Sequence, residues 1–429
     1  MRHSTFAPVR VAIAALAAAA VAHASNQVFV VGPVAGPGID FTNVQSAINA
    51  AANGDIVLLR SGTYAATGAS QITISGKGLT LVADAGQTVN FSSPMVISNV
   101  GAGQMACVRR ISVSSSDEGP ALSVFNNAGS VWIENGTFAA TSTFFPFLPT
   151  GPGIQASNCA DLKICRAILN GATIPTGAGG GYEGIAASGS NVCLYDTQCT
   201  GGNGGNGANV FVGGDGARIN GGFCFASGCT FKGGKGGNGA AAGSSGPFSP
   251  CTNGSAGGNG LHLVGTSPSA ATLACTFTPG VGGNAGTGGA CVAGPSGVNV
   301  KVDAGSHSPL GGAAHSLDCS ATCREGQFFL LTFKGVPGEL AFIDYSGTQG
   351  FTYFPDFKGV LALGFPLFTL FQGTIPGGGT LTKTSATIND LGLGVEGVTL
   401  YLQAGFFDPS TGAIFQGSHS ATALLDSSL

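Results

Sequence analysis

Asp161, Lys163 and Arg166 lie within one short segment, and residues of these types could serve a lyase or a hydrolase acting on a charged polymer. A lyase must neutralise a substrate carboxylate and set a strong base beside the α-proton, so several charged groups have to converge on one patch. Hydrolysis instead needs two carboxyl groups at a set separation. Arg109, Arg110, Asp117 and Glu118 are the other charged residues on strand-like runs nearby. The seven form no recognisable acid cluster, and 20 Asp and Glu scattered over 429 residues make chance proximity the simpler account. They are expected on solvated exteriors. Asp161, Lys163 and Arg166 are the candidates if the chain is catalytic.

Metal ligation finds no better pattern. Calcium-binding repeats place Asp in G-G-x-G-x-D, where it supplies a hard oxygen ligand. Gly201 to Asn209 reads G-G-N-G-G-N-G-A-N, with Asn206 where Asp belongs, and Gly213-Gly214-Asp215-Gly216 is a truncated echo. No cofactor is expected, and calcium has no support. Six histidines, among them His262, His307 and His315, lack zinc spacing and are expected in exposed loops. A catalytic thiol would need a base partner, and none is marked.

The elements that carry these residues repeat. Gly136-Thr137-Phe138, Cys165-Arg166-Ala167, Cys199-Thr200-Gly201, Cys229-Thr230-Phe231 and Cys275-Thr276-Phe277 each follow a short β-prone run and precede glycines. A repeat of this length without helical periodicity points to a solenoid. On a strand, Cys and Phe two residues apart share a face, so the copies are read as one core column of a parallel β-helix. Cys159, Cys193 and Cys224 suggest a second column. Residues stacked in parallel register point the same way and suit a disulfide poorly, so these thiols are expected buried and free. The expected bridges are Cys251–Cys291, ahead of equivalent strands, and Cys319–Cys323, close together at a domain boundary.

From about Gly201 the turns lengthen into glycine tracts, Gly201 to Gly207, Gly233 to Gly239, Gly254 to Gly260 and Gly280 to Gly289. Two keep a three-residue period, which lets extended threefold strands pack closely. They are expected side by side along one edge.

Residues 1–24 read as an export signal: Arg2 and Arg10, an apolar run from Val11 to Val21, and Ala22-His23-Ala24 before Ser25. Without that segment 14 basic residues face 20 acidic ones, a balance of −6. Charged residues are only 8% of the chain, and no basic stripe offers a nucleic acid a surface. Among the 74 glycines no later apolar run is long enough for a transmembrane anchor. Next comes a strand from Val28 to Val31, then a helix through Ala52 with Thr42 and Gln45 as its expected capping box. Asn53-Gly54 ends it ahead of Ile56 to Leu59 and Ser61-Gly62-Thr63-Tyr64. A solenoid needs such a cap over its first coil.

Phe41 to Tyr64, F-T-N-V-Q-S-A-I-N-A-A-A-N-G-D-I-V-L-L-R-S-G-T-Y, resembles the opening of right-handed parallel β-helix proteins of the pectin-lyase-like superfamily. The superfamily includes pectate and pectin lyases, polygalacturonases, pectin methylesterases and exported proteins with no known reaction. The resemblance implies the fold over residues 26–305. The polygalacturonase motifs Asn-Thr-Asp, Asp-Asp and Gly-His-Asp are absent from the chain.

The expected organisation is all-β. Residues 25–305 form a right-handed parallel β-helix with a short N-terminal capping helix, 306–316 a Gly/Ser/His linker, and 317–429 a small antiparallel β-sandwich. The last part resembles a C-terminal module on exported β-helix proteins of environmental bacteria, whose role is not established. The leading expectation is a secreted or cell-surface, non-catalytic structural or adhesive protein, with extracellular polysaccharide or surface components as partners. A polysaccharide-active lyase or hydrolase, and a non-catalytic glycan binder, are the alternatives.

Overall fold

The computed structural model describes residues 27–66, 70–115, 119–141, 151–174, 179–244 and 250–429. The segment expected to be an export signal and the pair Asp117 and Glu118 lie outside the described residues. The described chain is nearly all β. Its first part is a parallel β-helix whose sheets have 14 and 8 strands.

Each full coil makes three faces. In Leu122–Glu134 the chain runs along a first face, turns at Asn126 (φ 55°), and continues along a second from Ser130. A second corner at Asn135 (φ 54°) leads to Thr137–Ala140 on the third face. Both corners need the left-handed region, which Asn and Gly enter at least cost. Asn99, Asn158 and Gly265 repeat the first corner in other coils. Arg110, Arg166, Asp196 and Gly228 repeat the second, so Arg166 stands on a turn rather than in a strand.

Inside, the third face carries one column. Phe138, Leu169, Cys199, Phe231 and Phe277 are in register, and Phe231 and Phe277 stack with centroids 5.4 Å apart. The expected column was misaligned at two copies: Cys199 occupies the Phe position, and Ala167 rather than Cys165 matches Cys229. The second column does not exist. Cys193 pairs with Phe225 while Cys224 pairs with Val192, and a one-residue offset inverts the face. Cys224 points into the β-helix core and Cys193 out of it.

The capping helix spans Val44–Ala50 and buries Val44, Ala47 and Ile48. Its N-cap is Asn43, whose Oδ1 accepts from Ser46 N at 2.9 Å, not Thr42. Gln45, expected in a capping box, bonds instead to the backbone of Thr73 in the next coil.

The glycine tracts pack into a platform at the return from third to first face. Hydrogen bonds of 2.8–2.9 Å run from one tract to the next: Gly202 N to Tyr182 O, Gly214 to Gly202, Gly234 to Gly214, Gly258 to Gly234 and Gly280 to Gly258. A Cβ on Gly234 would stand 1.9 Å from the Gly202 carbonyl oxygen, so no larger residue fits. The third residue of each period faces outward. There Asn203, Asn206 and Asn238 use their side-chain oxygens to accept the N–H of Lys235, Asn238 and Asn284 at 2.7–2.9 Å. The G-G-N period thus combines close packing with satisfied amides. Cys251–Cys291 is a disulfide with Cα atoms 6.1 Å apart, joining two loops of this region.

The parallel stack extends beyond its expected end. Ser306–Leu310, read as linker, is a strand paired in parallel with Ser269–Leu273, and His315 is buried. The remaining 114 residues form sheets of three, five and two strands, antiparallel except where Thr322–Arg324 pairs with Ile414–Leu425. This module lies on the second face. Strands there, such as Ile56–Leu59 and Thr80–Ala83, are buried on both sides, which explains their continuous apolar runs. Among the described residues no helix is long and apolar enough to cross a membrane.

Candidate functional site

The module covers the residues expected to be solvated. Arg166 projects from its corner into the seam, donating to the Leu317 carbonyl and Glu134, and to Ser418 Oγ (3.3 Å) and Ser420 Oγ (3.2 Å). Glu134 is fully buried and also accepts from Ser420 Oγ and from Ala421 N at 3.0 Å. Arg109 lies 3.3 Å from Glu134 and donates to the Cys319 carbonyl. Asp318 comes within 3.7 Å of Arg109 and 3.4 Å of Arg166. These groups bind one part of the protein to the other.

Asp161 and Lys163 lie on Ile154–Cys165, the strand that leads into the Arg166 corner. They pair with each other, Asp161 also accepts from Ser130, and Lys163 is fully buried. Desolvation holds the Lys163 ammonium below the usual lysine range, against the raising effect of Asp161. Its nitrogen lies 5.8 Å from the centre of the Trp132 ring. The three candidates thus share one strand and its corner but form two separate sets, Lys163 with Asp161 and Arg166 with Glu134, in the seam beneath the chain's own C-terminal module. Arg110 is exposed at its corner and joins none of them.

Cys319 and Cys323, expected to bridge, are both free. Cys319 lies on Ser316–Cys319 in the three-stranded sheet, and Cys323 on Thr322–Arg324 in the five-stranded one. Cys319 Sγ instead donates to Ser420 Oγ at 3.1 Å in the seam.

The first face is open and carries a different constellation. Gln155, Ala186, Arg218, His262 and Lys301 stack in register along its outer side. His262 Nδ1 is 2.7 Å from Asp215 Oδ2, and Nε2 is 2.8 Å from Asp303 Oδ2. Both contacts are hydrogen bonds together only when the ring carries two protons. The bond to Asp215 accordingly raises its pKa, burial opposes, and Asp303 adds to the rise. Asp215 Oδ1 accepts from Asn259 N and Nδ2 at 2.7 and 2.8 Å, while Lys301 lies 3.3 Å from Asp303. Arg218 faces Glu183 at 3.4 Å beside a depression of about 370 Å³.

Sequence reading missed this ladder. The one signal was parity: His262 sits between two core leucines, Leu261 and Leu263, and so must face outward. Its partners are 47 and 41 residues away in sequence, and only the stacking register unites them. His315, expected exposed in a loop, does lie outside the strands but is buried against both carboxylate oxygens of Glu339 at 2.8–2.9 Å.

No family model matches the chain, and no curated protein matches it. Among solved structures it is similar to pectate lyase Pel9A, with 13% identity over 67% of this chain and 81% of that one, at a TM-score of 0.31. It is also similar to the endo-xylogalacturonan hydrolase from Aspergillus tubingensis, with 14% identity over 66% of this chain and 99% of that one, at a TM-score of 0.18. Likeness at this level carries nothing about activity.

Proposed function

We propose that the protein is an exported, non-catalytic scaffold working at or outside the cell surface, where its open faces hold polysaccharide or neighbouring surface components. The observation that carries this reading is the position of Arg166. Its guanidinium is spent on Glu134, the Leu317 carbonyl and two serines of the module. A group that must meet substrate cannot also be the fastening of a buried seam. Lys163, the other candidate base, is sealed against Trp132 in the same seam.

A second reading, a polysaccharide-active enzyme, is favoured by the Asp215–His262–Asp303 chain, because a partly buried imidazole between two carboxylates, one of them the half-exposed Asp303, can pass a proton to a bound ligand. In that reading His262 is the acid or base, Asp215 orients it, and Arg218 holds substrate charge.

The two readings part in one experiment. Purified protein is incubated with pectate, alginate and neutral glycans; products are followed by the ultraviolet absorbance of unsaturated sugars and by reducing ends, and binding by co-sedimentation with insoluble polysaccharide. Retention without product is expected. Product that disappears in His262→Asn would establish the enzyme and overturn the proposal. Absence of retention on every polymer would remove the glycan-holding role.

A further inference from the structure

The two ends of the β-helix are finished differently. At the head, the backbone groups of Val28–Val31 that point away from the stack are met by the chain itself. Val28 N donates to Glu396 Oε2 and Val30 N to Asp40 Oδ2, both at 2.8 Å, while Asp40 N donates to the Val30 carbonyl at 2.9 Å. The capping helix packs against the same end.

At the tail nothing comparable follows. Thr276–Thr278, Val300–Val302 and Ser306–Leu310 are the last strands of the third, first and second faces, and among the described residues no strand pairs with their outer edges. In a parallel ladder alternate residues bond to opposite neighbours. Leu261 N donates to Asn299 O and Asp303 N to Leu263 O, so Val300 and Val302 point their N–H and C=O past the stack. Leu263 is fully buried, yet Val302, which follows it in register on the inner side, is 45% exposed. Such an edge is an open template for another strand. Ser306–Leu310 is blunted by Pro309, which has no N–H to offer. Val300–Val302 carries no such block.

Two features select the occupant. The first is charge. Lys301 and Asp303, themselves 3.3 Å apart, lie on the outer side of this edge beside His262. When a second copy of the strand runs antiparallel with Val302 opposite Val302, each Lys301 stands opposite the partner's Asp303. The two Val302 residues then exchange both free hydrogen bonds, and the Lys–Asp pairs fall at the positions where side chains approach most closely. Centring the pair on Lys301 would set lysine against lysine. The second feature is shape. The chain climbs about 4.8 Å per coil, so its last strands end in steps, lowest on the third face and highest on the second. A two-fold axis through Val302 lays the high second-face end of one copy over the low third-face end of the other. The gap is then one strand spacing on all three faces.

We infer that the open tail is a dimer surface whose partner is a second copy of this chain, joined tail to tail about a two-fold axis through Val302. The contact is isologous and closes at two, and the satisfied head offers no edge from which a longer array could grow. It covers Val302 and the last coil of the core, as the end of a solenoid requires. The inference goes beyond the scaffold reading and does not depend on it.

The test is sedimentation velocity on the chain from Ser25 over a range of concentrations. The parent is expected to run as a dimer that dissociates on dilution. Lys301→Asp and Asp303→Lys each set like charges across the axis and should weaken dimerisation about tenfold or more. Mixed in equal amounts, the two variants should form a heterodimer, because every pair across the axis is then opposite in sign. The Lys301→Asp/Asp303→Lys variant restores opposite pairs and should dimerise as the parent does. These two rescues show that the variants are folded, which matters because Asp303 also bonds His262. A parent that stays monomeric at every concentration would overturn the inference, whether hydrogen exchange finds the Val300 and Val302 amides open or covered by another part of the chain. Trimers or longer assemblies would overturn it too, as would single variants that dimerise like the parent. Parent dimers with no heterodimer on mixing would place the contact elsewhere and equally contradict it.

Discussion

His419 stands edge-on to Trp132 with ring centroids 4.3 Å apart, and neither of its ring nitrogens has a hydrogen-bond partner. The imidazole belongs to the module and Trp132 to the second face, so this contact is part of the seam. Burial, and then the positive charges of Lys163 and Arg166, hold the His419 pKa well below the ordinary histidine range. Tyr195 closes the other side of the ring at 5.6 Å. A histidine kept neutral when folded takes up a proton more readily when unfolded, so stability falls as pH drops through the unfolded value of about 6.5. Melting temperature should therefore decline between about pH 7 and pH 5. His419→Phe should flatten part of that decline; an identical pH profile in the variant would remove His419 from the account.

His262 has the opposite sign. Its folded pKa is raised, so its contribution is full below about pH 6.5 and is lost as pH rises through the higher folded value. The Nε2 proton of His262 should titrate above the free-histidine range by NMR, and Asp215→Asn should bring it back down. A normal titration in the parent would mean that the Asp215–His262–Asp303 chain does not form.

Replacing Gly234 by Ala should disrupt the platform, because the new methyl would stand 1.9 Å from the Gly202 carbonyl oxygen and 2.5 Å from its carbon. Backbone, not a pliable side chain, is the obstacle. Gly179→Ala, whose Cβ meets nothing closer than an Ile174 carbon at 3.9 Å, should be tolerated. Hydrogen exchange across residues 201–239 reads the difference, and equal protection in the two variants would show that the tracts do not pack as described.

Thiol chemistry offers an independent check on the columns. Cys224 is buried in the core and desolvation pushes its pKa up to about 12; Cys193 and Cys199 are likewise raised, first by burial. None should react with a thiol reagent until the protein unfolds. Non-reducing peptide mapping should recover Cys251 joined to Cys291, with Cys319 and Cys323 unlinked. Rapid modification of Cys224 in the native protein would contradict the inward register.

The solenoid was legible because its signals are local. The recurring Cys-Thr-Phe signature, the three-residue glycine period and the short β-prone runs between turns can each be read within a few residues. Register was less legible. Cys165-Arg166-Ala167 shares its leading cysteine with Cys229-Thr230-Phe231 but lies two residues early, since the corner at Arg166 aligns with Gly228. The fate of Asp161, Lys163 and Arg166 could not be read at all. Arg166 meets its partners Leu317, Ser418 and Ser420 across 151 to 254 residues of sequence, and nothing in a strand's own pattern says that a second domain will cover its outer side.

Equilibrium denaturation of Arg166→Ala tests the central claim most directly. Removing the guanidinium leaves the buried Glu134 carboxylate without its closest cation and the Leu317 carbonyl without its donor. Breaking a buried pair by deleting one partner costs roughly 3–5 kcal/mol, and a loss of that order is the expected result. Unchanged stability, together with loss of a polysaccharide-cleaving activity present in the parent, would contradict the account and return Arg166 to catalysis.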